Sequence, residues 1–425
     1  MKKVNLLQLI VLIIALSFVF SANTNKQTVY LSGDIMTPWE GGPAYYAKWQ
    51  NGPSSDPNFF PIAVWWQDVA RAADYKQIGI NTYIYLGKTP SISQLLSLSA
   101  ESMSAVCVPS LEVSNATENG IVKMWMNPRD EQDNALKGTT VPVTPAEVIA
   151  NYEIMKKQDP SRPVFLPLGQ GVAIDSWYGR GDRTNHPEDY IEYAKGSDVL
   201  SFDVYPMNVR LAPAGEKKFR VDFTNELYQK IWYVAKGVDN LRKASDYKKP
   251  VWVWLECTNY SGDSACQLTP NHTKAEAWMA IIHGARGIGY FCHVFKPKFN
   301  QAALLADTAM SKMVASINAQ VMAHAPVLNS QSVANAATIS SSNQAVPVDI
   351  MAKRHEDSTY IYAVAMRPGV TKATFKLRDF VGKSIVEVVG EHRNVVSVNG
   401  VFKDSFANYG VHIYKVKTQL NKIGK

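Results

Sequence analysis

The sequence predicts a (β/α)8 barrel, an α/β fold also called a TIM barrel, followed by a small C-terminal antiparallel β-sandwich. Two observations predict the barrel: eight short apolar runs occur between residues 62 and 292, and amphipathic segments separate them. A third, the loss of helical periodicity after Asn329, predicts the second domain. An open doubly wound sheet is the structural alternative, but the glycine-rich first turn of that fold is missing after the first run.

The eight runs have the length and composition of barrel strands. They are residues 62–66, 81–86, 104–109, 121–126, 163–168, 199–205, 251–256 and 287–292. Capping boxes predict two helix starts, one at Thr144 with Glu147 and one at Thr273 with Glu276. Apolar residues also share single helical faces: Leu227, Ile231, Val234, Val238 and Leu241 before the seventh run, and Met310, Met313, Val314, Ile317 and Val321 after the eighth.

We predict a barrel domain over residues 28–329 and a β-sandwich domain over residues 330–417. Residues 31–60 contain many Gly, Pro, Trp and Tyr residues, which predicts an irregular segment over one barrel end. Residues 330–344 are rich in Ser, Ala and Asn. The alternating runs that predict the β-sandwich follow at residues 360–365, 373–377, 385–389 and 411–416, and residues 420–425 form a tail.

The amino terminus has the pattern of a secretory signal peptide, which we predict over residues 1–21. Lys2 and Lys3 precede an apolar run that extends from residue 6 to residue 20. The run is short for a membrane span, and no second run of sufficient length follows. We therefore expect a secreted or periplasmic protein without stable membrane insertion after cleavage; an uncleaved anchor is the alternative.

Composition and motifs exclude several partners and cofactors. The formal net charge is +7 over 425 residues, and no dense Lys/Arg block occurs, so we expect no nucleic-acid partner. The eight His residues form no His-Glu-x-x-His motif and no Cys-x-x-Cys occurs, so we expect no metal and no cofactor. Among the four cysteines, Cys257 and Cys266 are spaced to close a small loop, whereas Cys107 and Cys292 lie in apolar runs typical of free thiols. No feature of the sequence fixes an oligomeric state.

Two acidic positions stand where barrel proteins place chemistry, at the carboxyl ends of strands. Glu256 ends the seventh run and shares its side with Trp252 and Trp254 by period two, so we expect it to project into the barrel mouth. Glu131 lies in the segment that leaves the fourth run, nearly opposite across the ring. Two carboxyl groups so placed suit glycoside hydrolysis, in which one protonates the leaving oxygen and the other attacks the sugar carbon.

These residues resemble the clan A retaining glycoside hydrolases, whose acid/base closes strand four and whose nucleophile closes strand seven. The segments PIAVWWQDVARAADYKQIGINTYIYL, DEQDNA, SFDVYP, WLECTN and AWMAIIHGARGIGYF are also similar to a family of bacterial exported hydrolases of that barrel type, and FKDSFANYGVHIYKV to their C-terminal β-domain. The resemblance implies hydrolysis of a poly- or oligosaccharide with retention, Glu131 as acid/base and Glu256 as nucleophile. It also implies that Tyr205 hydrogen-bonds the nucleophile.

The acid/base segment departs from the family pattern at two positions. Asp130 stands where clan A enzymes commonly have Asn, and Gln132 stands where the exported family usually has Pro. The choice of proton donor therefore remains open between Asp130, Glu131 and Asp133. The same departure favours a second function, a catalytically inactive glycan-binding protein on a barrel scaffold.

Aromatic and polar residues near the strand ends are candidates for sugar contacts, and filling of the barrel interior is the alternative for each. They are Trp65, Gln67, Tyr85, Trp125, Asp130, Asp133, Asp203, Tyr205, Trp254, Tyr290 and His293. The glycine-rich loop 169–186 carries Trp177, Arg180, Arg183 and His186 and is predicted to shape a sugar subsite, with a solvated loop as the alternative.

Overall fold

The computed structural model describes residues 28–116 and 120–419, and within them eight parallel strands close into a barrel. The strands follow one another in chain order, and β1 pairs with β8 to complete the ring. They are β1 Ile62–Trp65, β2 Thr82–Ile84, β3 Ser104–Cys107, β4 Val122–Met126, β5 Val164–Leu168, β6 Val199–Asp203, β7 Val251–Glu256 and β8 Gly287–Phe291. Each lies within one of the eight predicted runs, which confirms the barrel.

Large side chains from β7 fill the barrel interior, and glycines on β8 give them room. Trp252 and Trp254 point inward beside Phe165 from β5. A Cβ atom at Gly287 would lie 2.3 Å from the Trp252 ring, and one at Gly289 would lie 2.3 Å from the Trp254 ring. The two indoles therefore require glycine on the neighbouring strand, because any larger residue there would overlap them.

Helices cover the barrel from outside. They are α1 Pro43–Tyr46, α2 Ala72–Gln77, α3 Ile92–Ala100, α4 Leu111–Ser114, α5 Pro145–Gln158, α6 Asp189–Tyr193, α7 Lys218–Leu227, α8 Tyr233–Ala244, α9 Pro270–Ile282, α10 Ala303–Ala306, α11 Thr308–Ala323 and α12 Ala325–Leu328. The capping box of α5 at Thr144 is confirmed, since its hydroxyl accepts the backbone N–H of Glu147. The cap predicted at Thr273 is wrong, because α9 begins three residues earlier at Pro270, whose fixed φ suits the first helical position.

A second domain of eight antiparallel strands follows the barrel, which confirms the predicted β-domain. The strands are β9 Ala337–Ser341, β10 Val348–His355, β11 Ser358–Ala365, β12 Thr371–Leu377, β13 Lys383–Val388, β14 Arg393–Val398, β15 Val401–Phe406 and β16 Val411–Lys417. The sheet order is β10-β11-β16-β13-β14-β15-β12-β9, and the end strands β9 and β10 come into contact. The curled sheet encloses an apolar core in which Phe375 stacks on Phe402 at 4.6 Å between ring centroids.

Buried ion pairs join the segment before β1 to both domains. Glu40 is 7% exposed and contacts Arg286 of the barrel at 2.7 Å and Lys353 of the β-domain at 3.3 Å. Its two cationic neighbours lower its pKa to about 2 against the opposing effect of burial. Farther along the segment, the Trp252 indole donates to the Tyr46 hydroxyl at 3.2 Å, so residues 31–60 close one end of the barrel.

The structure tests the prediction about the cysteines but not those about the chain ends. The predicted signal peptide, residues 1–21, and the tail, residues 420–425, lie outside the described residues. In the described part of the chain, no helix has the length and apolarity needed to cross a bilayer. All four cysteines are free, so Cys257 and Cys266 do not close the small loop that their spacing allows.

Candidate active site

A cleft opens at the carboxyl ends of the barrel strands, with a cavity volume of about 280 Å³. It is lined by three acids, one amide and mostly aromatic or apolar residues: Trp65, Asp130, Glu131, Pro167, Leu168, Gln170, Trp177, Asp203, Tyr205, Trp254, Tyr260, Phe291 and Phe295. A larger groove of about 750 Å³ lies on the β-domain, but its lining contains no Trp, Tyr or Phe. The barrel cleft therefore has the position and the walls expected of a sugar site.

Glu131 stands in the cleft on a strained backbone. Its φ is 43°, a left-handed conformation that is uncommon outside glycine and often occurs at functional sites. Its Oε2 accepts a hydrogen bond from the Asn134 side-chain amide at 2.8 Å, and the Trp177 indole holds that amide by donating to Asn134 Oδ1 at 2.6 Å. A Cβ atom at Gly169 would lie 3.3 Å from Glu131 Oε1, so the carboxyl group is enclosed on that side as well.

Asp203, at the end of β6, is the second acid of the cleft and hydrogen-bonds the Glu131 carboxyl. Burial raises the pKa of Glu131, and the neighbouring Asp133 charge adds to the rise. Burial and then repulsion from Glu131 raise the pKa of Asp203 well above its ordinary value. Two such carboxyls favour a state that holds one proton between them.

The other two acids of the segment after β4 have different environments. Asp130 is exposed to solvent at the rim of the cleft, and desolvation of its protein-facing side, followed by repulsion from Glu131, raises its pKa to about 8. Asp133 is fully buried and accepts hydrogen bonds from the Gly169 backbone N–H and the Tyr190 hydroxyl, both at 2.7 Å. Asp133, predicted as a substrate contact, therefore does not line the cleft, because both of its oxygens hold the β5 end and α6 in place.

Glu256 does not reach the cleft. It is 1% exposed and is not among the lining residues. Its Oε1 accepts the Met207 backbone N–H at 2.8 Å, and its Oε2 accepts the backbone N–H and the side-chain amide of Asn208 at 3.1 and 2.8 Å. The expectation that Glu256 projects into the mouth is therefore not met, because the turn after β6 draws its carboxylate away. Tyr205 donates no hydrogen bond to it among the described residues.

A sixth acid, Glu276, lies behind Glu256 on α9. Its side chain is fully buried and hydrogen-bonds the Glu256 carboxyl, and neither of its oxygens meets a donor group within the described chain. Burial, followed by repulsion from Glu256, raises the pKa of Glu276 well above its ordinary value. Because Glu256 receives three N–H donors and Glu276 none, the shared proton resides on Glu276 and the negative charge on Glu256.

Aromatic rings form the walls of the cleft, among them the candidates Trp65, Trp177, Tyr205 and Trp254. Trp65 and Trp254 meet edge to face at 5.0 Å between ring centroids. The indole nitrogen of Trp254 is buried and has no hydrogen-bond partner in the described structure. The amide oxygen of Gln170 is likewise buried and unpartnered.

Three other residues predicted to contact sugar do not line the cleft. Gln67 and His293 are buried behind it, 3.3 Å apart, in a network with Tyr75. Tyr290 is fully buried and donates to Asn318 of α11 at 2.8 Å. Two further rings also lie outside the lining: Tyr85 stacks behind Trp65, and Trp125 donates to Asp159 on the helical side of the barrel. Their positions near strand ends predicted side chains at the barrel mouth, but hydrogen bonds and ring contacts with neighbouring residues turn these side chains away from it.

The loop 169–186 is anchored and contributes to the cleft. Gln170 and Trp177 line the cavity. Arg180 is fully buried and contacts Asp189 of α6 at 2.7 Å, and Arg183 contacts the same carboxylate. The loop's basic residues therefore fix its base rather than face the ligand, which excludes the solvated-loop alternative.

Five functional candidates were not predicted from the sequence. Asn134 orients Glu131, and Gln170, Tyr260, Phe291 and Phe295 line the cleft. Phe291 ends β8 and packs on Tyr205 at 5.3 Å between ring centroids, so its place at a strand end was a signal available in the sequence. Asn134 had no comparable signal, because its role follows from the turn geometry around Glu131. Across the described residues, no group of three or more His, Cys, Asp or Glu side chains is placed to hold a metal ion.

Comparisons with known proteins extend the description of the fold. No protein-family model and no curated protein matches the chain. Among solved structures, it is similar to AmyP in complex with maltose at 11% identity and a TM-score of 0.52, over 86% of this chain and 98% of that one. It is also similar to a GH30 endoxylanase from Clostridium papyrosolvens C71 (12%, 91% and 98%, TM-score 0.47) and to α-galactosidase I from Mortierella vinacea (10%, 90% and 98%, TM-score 0.48). The likeness to AmyP shows a shared fold.

Proposed function

We propose that the protein is a glycoside hydrolase that cleaves a poly- or oligosaccharide in the barrel cleft. The observation that carries the proposal is the Glu131 carboxyl, which stands on a strained backbone among aromatic rings, beside the Asp203 carboxyl. The raised pKa values of these two carboxyls suit a pair that holds one proton near neutral pH and can donate it to a leaving oxygen. The fold is shared with AmyP, whose structure contains maltose.

The polar atoms of the walls support a sugar ligand. The Trp254 indole N–H is an unpartnered buried donor, and the Gln170 amide oxygen is an unpartnered buried acceptor. Buried polar atoms are nearly always hydrogen-bonded, so a ligand with hydroxyl groups would satisfy both. Aromatic faces such as that of Trp177 supply the apolar contact that sugar rings also need.

In the proposed mechanism, Glu131 first protonates the leaving oxygen and later deprotonates the attacking water. The nucleophile of a retaining reaction must lie about 5–5.5 Å from this acid. Glu256, which strand position and family resemblance favour, would require the turn Pro206–Asn208 to release its two oxygens. Asp203 is the alternative that already lies in the cleft, but its direct hydrogen bond to Glu131 would have to break as substrate enters.

Azide rescue with an activated aryl glycoside tests the proposal and separates the two nucleophiles. The variants are Glu131→Ala, Asp203→Ala and Glu256→Ala, with circular dichroism as the control for folding. Removing the nucleophile lets azide attack directly, which gives a glycosyl azide of inverted configuration. Removing the acid/base leaves the double displacement intact, so Glu131→Ala should give an azide of retained configuration. Wild-type hydrolysis in the Glu131 variant would refute the mechanism.

One observation favours a second function: residues of the turn after β6 donate hydrogen bonds to both carboxylate oxygens of Glu256. A barrel whose nucleophile cannot reach the cleft would bind a glycan without cleaving it. Binding without turnover would appear as sugar affinity in the wild type together with no hydrolysis of any glycoside that binds. Affinity that survives in the Glu131→Ala/Glu256→Ala double variant would support the same conclusion.

We also propose that the protein is exported. The proposal rests on the pattern of residues 1–21, a basic start followed by a short apolar run. Expression of the full chain in a bacterial host, followed by intact-mass measurement of the secreted or periplasmic protein, tests it. A mature chain that begins close to residue 22 is expected, whereas full-length protein retained in the cytoplasm would contradict export.

A further inference from the structure

The cleft contains acids but no base among its lining residues. Asp130, Glu131 and Asp203 supply three carboxyl groups, and no Lys, Arg or His lines the described cavity. The Arg129 guanidinium donates to the Asn134 backbone carbonyl at 3.3 Å and does not line the cavity, and its charge only partly offsets the upward pKa shifts of Asp130 and Glu131. The arginines of the neighbouring loop are also engaged elsewhere, since Arg180 pairs with Asp189.

The exposed basic side chains closest in sequence to the cleft residues lie outside the cavity lining. Arg210 contacts Asp263 at 3.1 Å and has a side chain that is 73% exposed. Lys296 and Lys298 follow Phe295 in the chain and are also exposed. Charges in these positions are screened by solvent and salt, so they cannot offset a second negative charge brought between the carboxyls.

We propose that the cleft takes a sugar ring without negative charge, neutral or amino-substituted, and excludes uronic acids and sulfated sugars from the reacting position; this rests on the proposed function. A carboxylate about 6 Å from one ionised acid, at an effective dielectric constant of about 20, lowers affinity about 100-fold. The unpartnered Trp254 donor and Gln170 acceptor suit the hydroxyl or amino groups of such a ring. The cavity of about 280 Å³ lies just below the usual range of about 300–1,000 Å³ for ligand pockets, which favours a short saccharide.

The test uses the full wild-type chain and quenching of tryptophan fluorescence, because Trp65, Trp177 and Trp254 line the cleft. The probes are methyl glycosides of both anomers in matched sets: glucose, 2-amino-2-deoxyglucose and glucuronic acid, and the same three in the galactose series. At pH 7 the neutral or amino sugar of at least one set should bind about 100-fold more tightly than the uronide. The difference in affinity should narrow at pH 5 and in the Glu131→Gln/Asp203→Asn double variant, since both changes remove negative charge from the carboxyl pair of the cleft.

The outcomes separate this inference from the proposed hydrolysis. A uronide that binds as tightly as its neutral partner, or an unchanged gap at both pH values and in the variant, would overturn the charge selectivity. If the neutral or amino sugar binds more tightly than the uronide as expected, but the matching 4-nitrophenyl glycosides are not cleaved, the proposed hydrolysis is refuted and the charge selectivity stands. Binding of none of the probes would overturn both.

Discussion

Replacement of Asn134 by alanine tests whether the turn after β4 tunes the proposed acid. The Asn134 amide donates to Glu131 Oε2 at 2.8 Å and is held by the Trp177 indole. This bond favours the ionised carboxylate, so its loss raises the pKa of Glu131 and keeps the acid protonated to higher pH. A hydrogen bond to a charged group contributes about 1.5 kcal/mol or more, which corresponds to an upward move of about one pH unit in the high-pH limb of kcat/KM.

The measurement is kcat/KM against pH for an aryl glycoside that the wild type cleaves. Trp177→Phe should move the limb in the same direction by less, because it keeps the ring but frees the Asn134 amide to rotate. Gln170→Ala is the matched control: it alters the cleft lining without a hydrogen bond to Glu131, and should leave the limb in place. A limb that moves downward in Asn134→Ala, or equally in all three variants, would refute the reasoning.

Three further substitutions have expected outcomes. Gly169→Ala keeps an allowed backbone, φ −93°, but brings a methyl group to 3.3 Å from Glu131 Oε1, so kcat should fall about tenfold with little change in Tm; an unchanged kcat would contradict this tight contact. Asp349→Asn removes one of the two acids that raise the pKa of His283 to about 9. The interaction of these acids with protonated His283 stabilises the folded protein fully below about pH 6.5 and is lost as the pH rises through about 9. The Tm of the variant should therefore lie about 1–2 °C below that of the wild type at pH 6 and equal it at pH 10.5. Glu276→Gln removes a buried acid of raised pKa. Because the folded protein holds this proton more tightly than the unfolded chain, the wild type loses stability as the pH rises above about 4.3. The Tm of the variant should therefore fall less than that of the wild type between pH 5 and 8, and an equal fall would show that Glu276 does not titrate in this range.

The barrel was predictable because its strands are buried on both faces and stand out as apolar runs. All residues of β7 are buried, and its run matches the predicted residues 251–256 at both ends. The β-domain was predictable only in part. Strand β9 lies in a stretch rich in Ser and Ala, and its edge position is set by pairing with β12, so no apolar alternation marks it.

Strand position was an incomplete guide to both the aromatic walls and the acids of the cleft. It placed Trp65 and Trp254 correctly, but the rings of Tyr85, Trp125 and Tyr290 pack away from the cleft. Carboxyl groups instead go where donors are, and those donors come from turns that the sequence does not specify. Asp133 is drawn to the Gly169 backbone N–H, and Glu256 to those of residues 207 and 208.

Glu256 shows why alternation along a strand was insufficient. Period two fixes the direction in which Cβ leaves the backbone, and Glu256 does follow Trp252 and Trp254 on β7. Its carboxylate lies several bonds farther out, where three N–H donors and the acid of Glu276 compete with the solvent of the cleft. Each charge-assisted bond contributes about 1.5–3 kcal/mol, so the turn after β6 holds the group unless substrate reorders that turn. The identity of the nucleophile therefore depends on the conformation of residues 206–208, and a substrate-bound structure in which they keep their present bonds to Glu256 would leave Asp203 as the nucleophile.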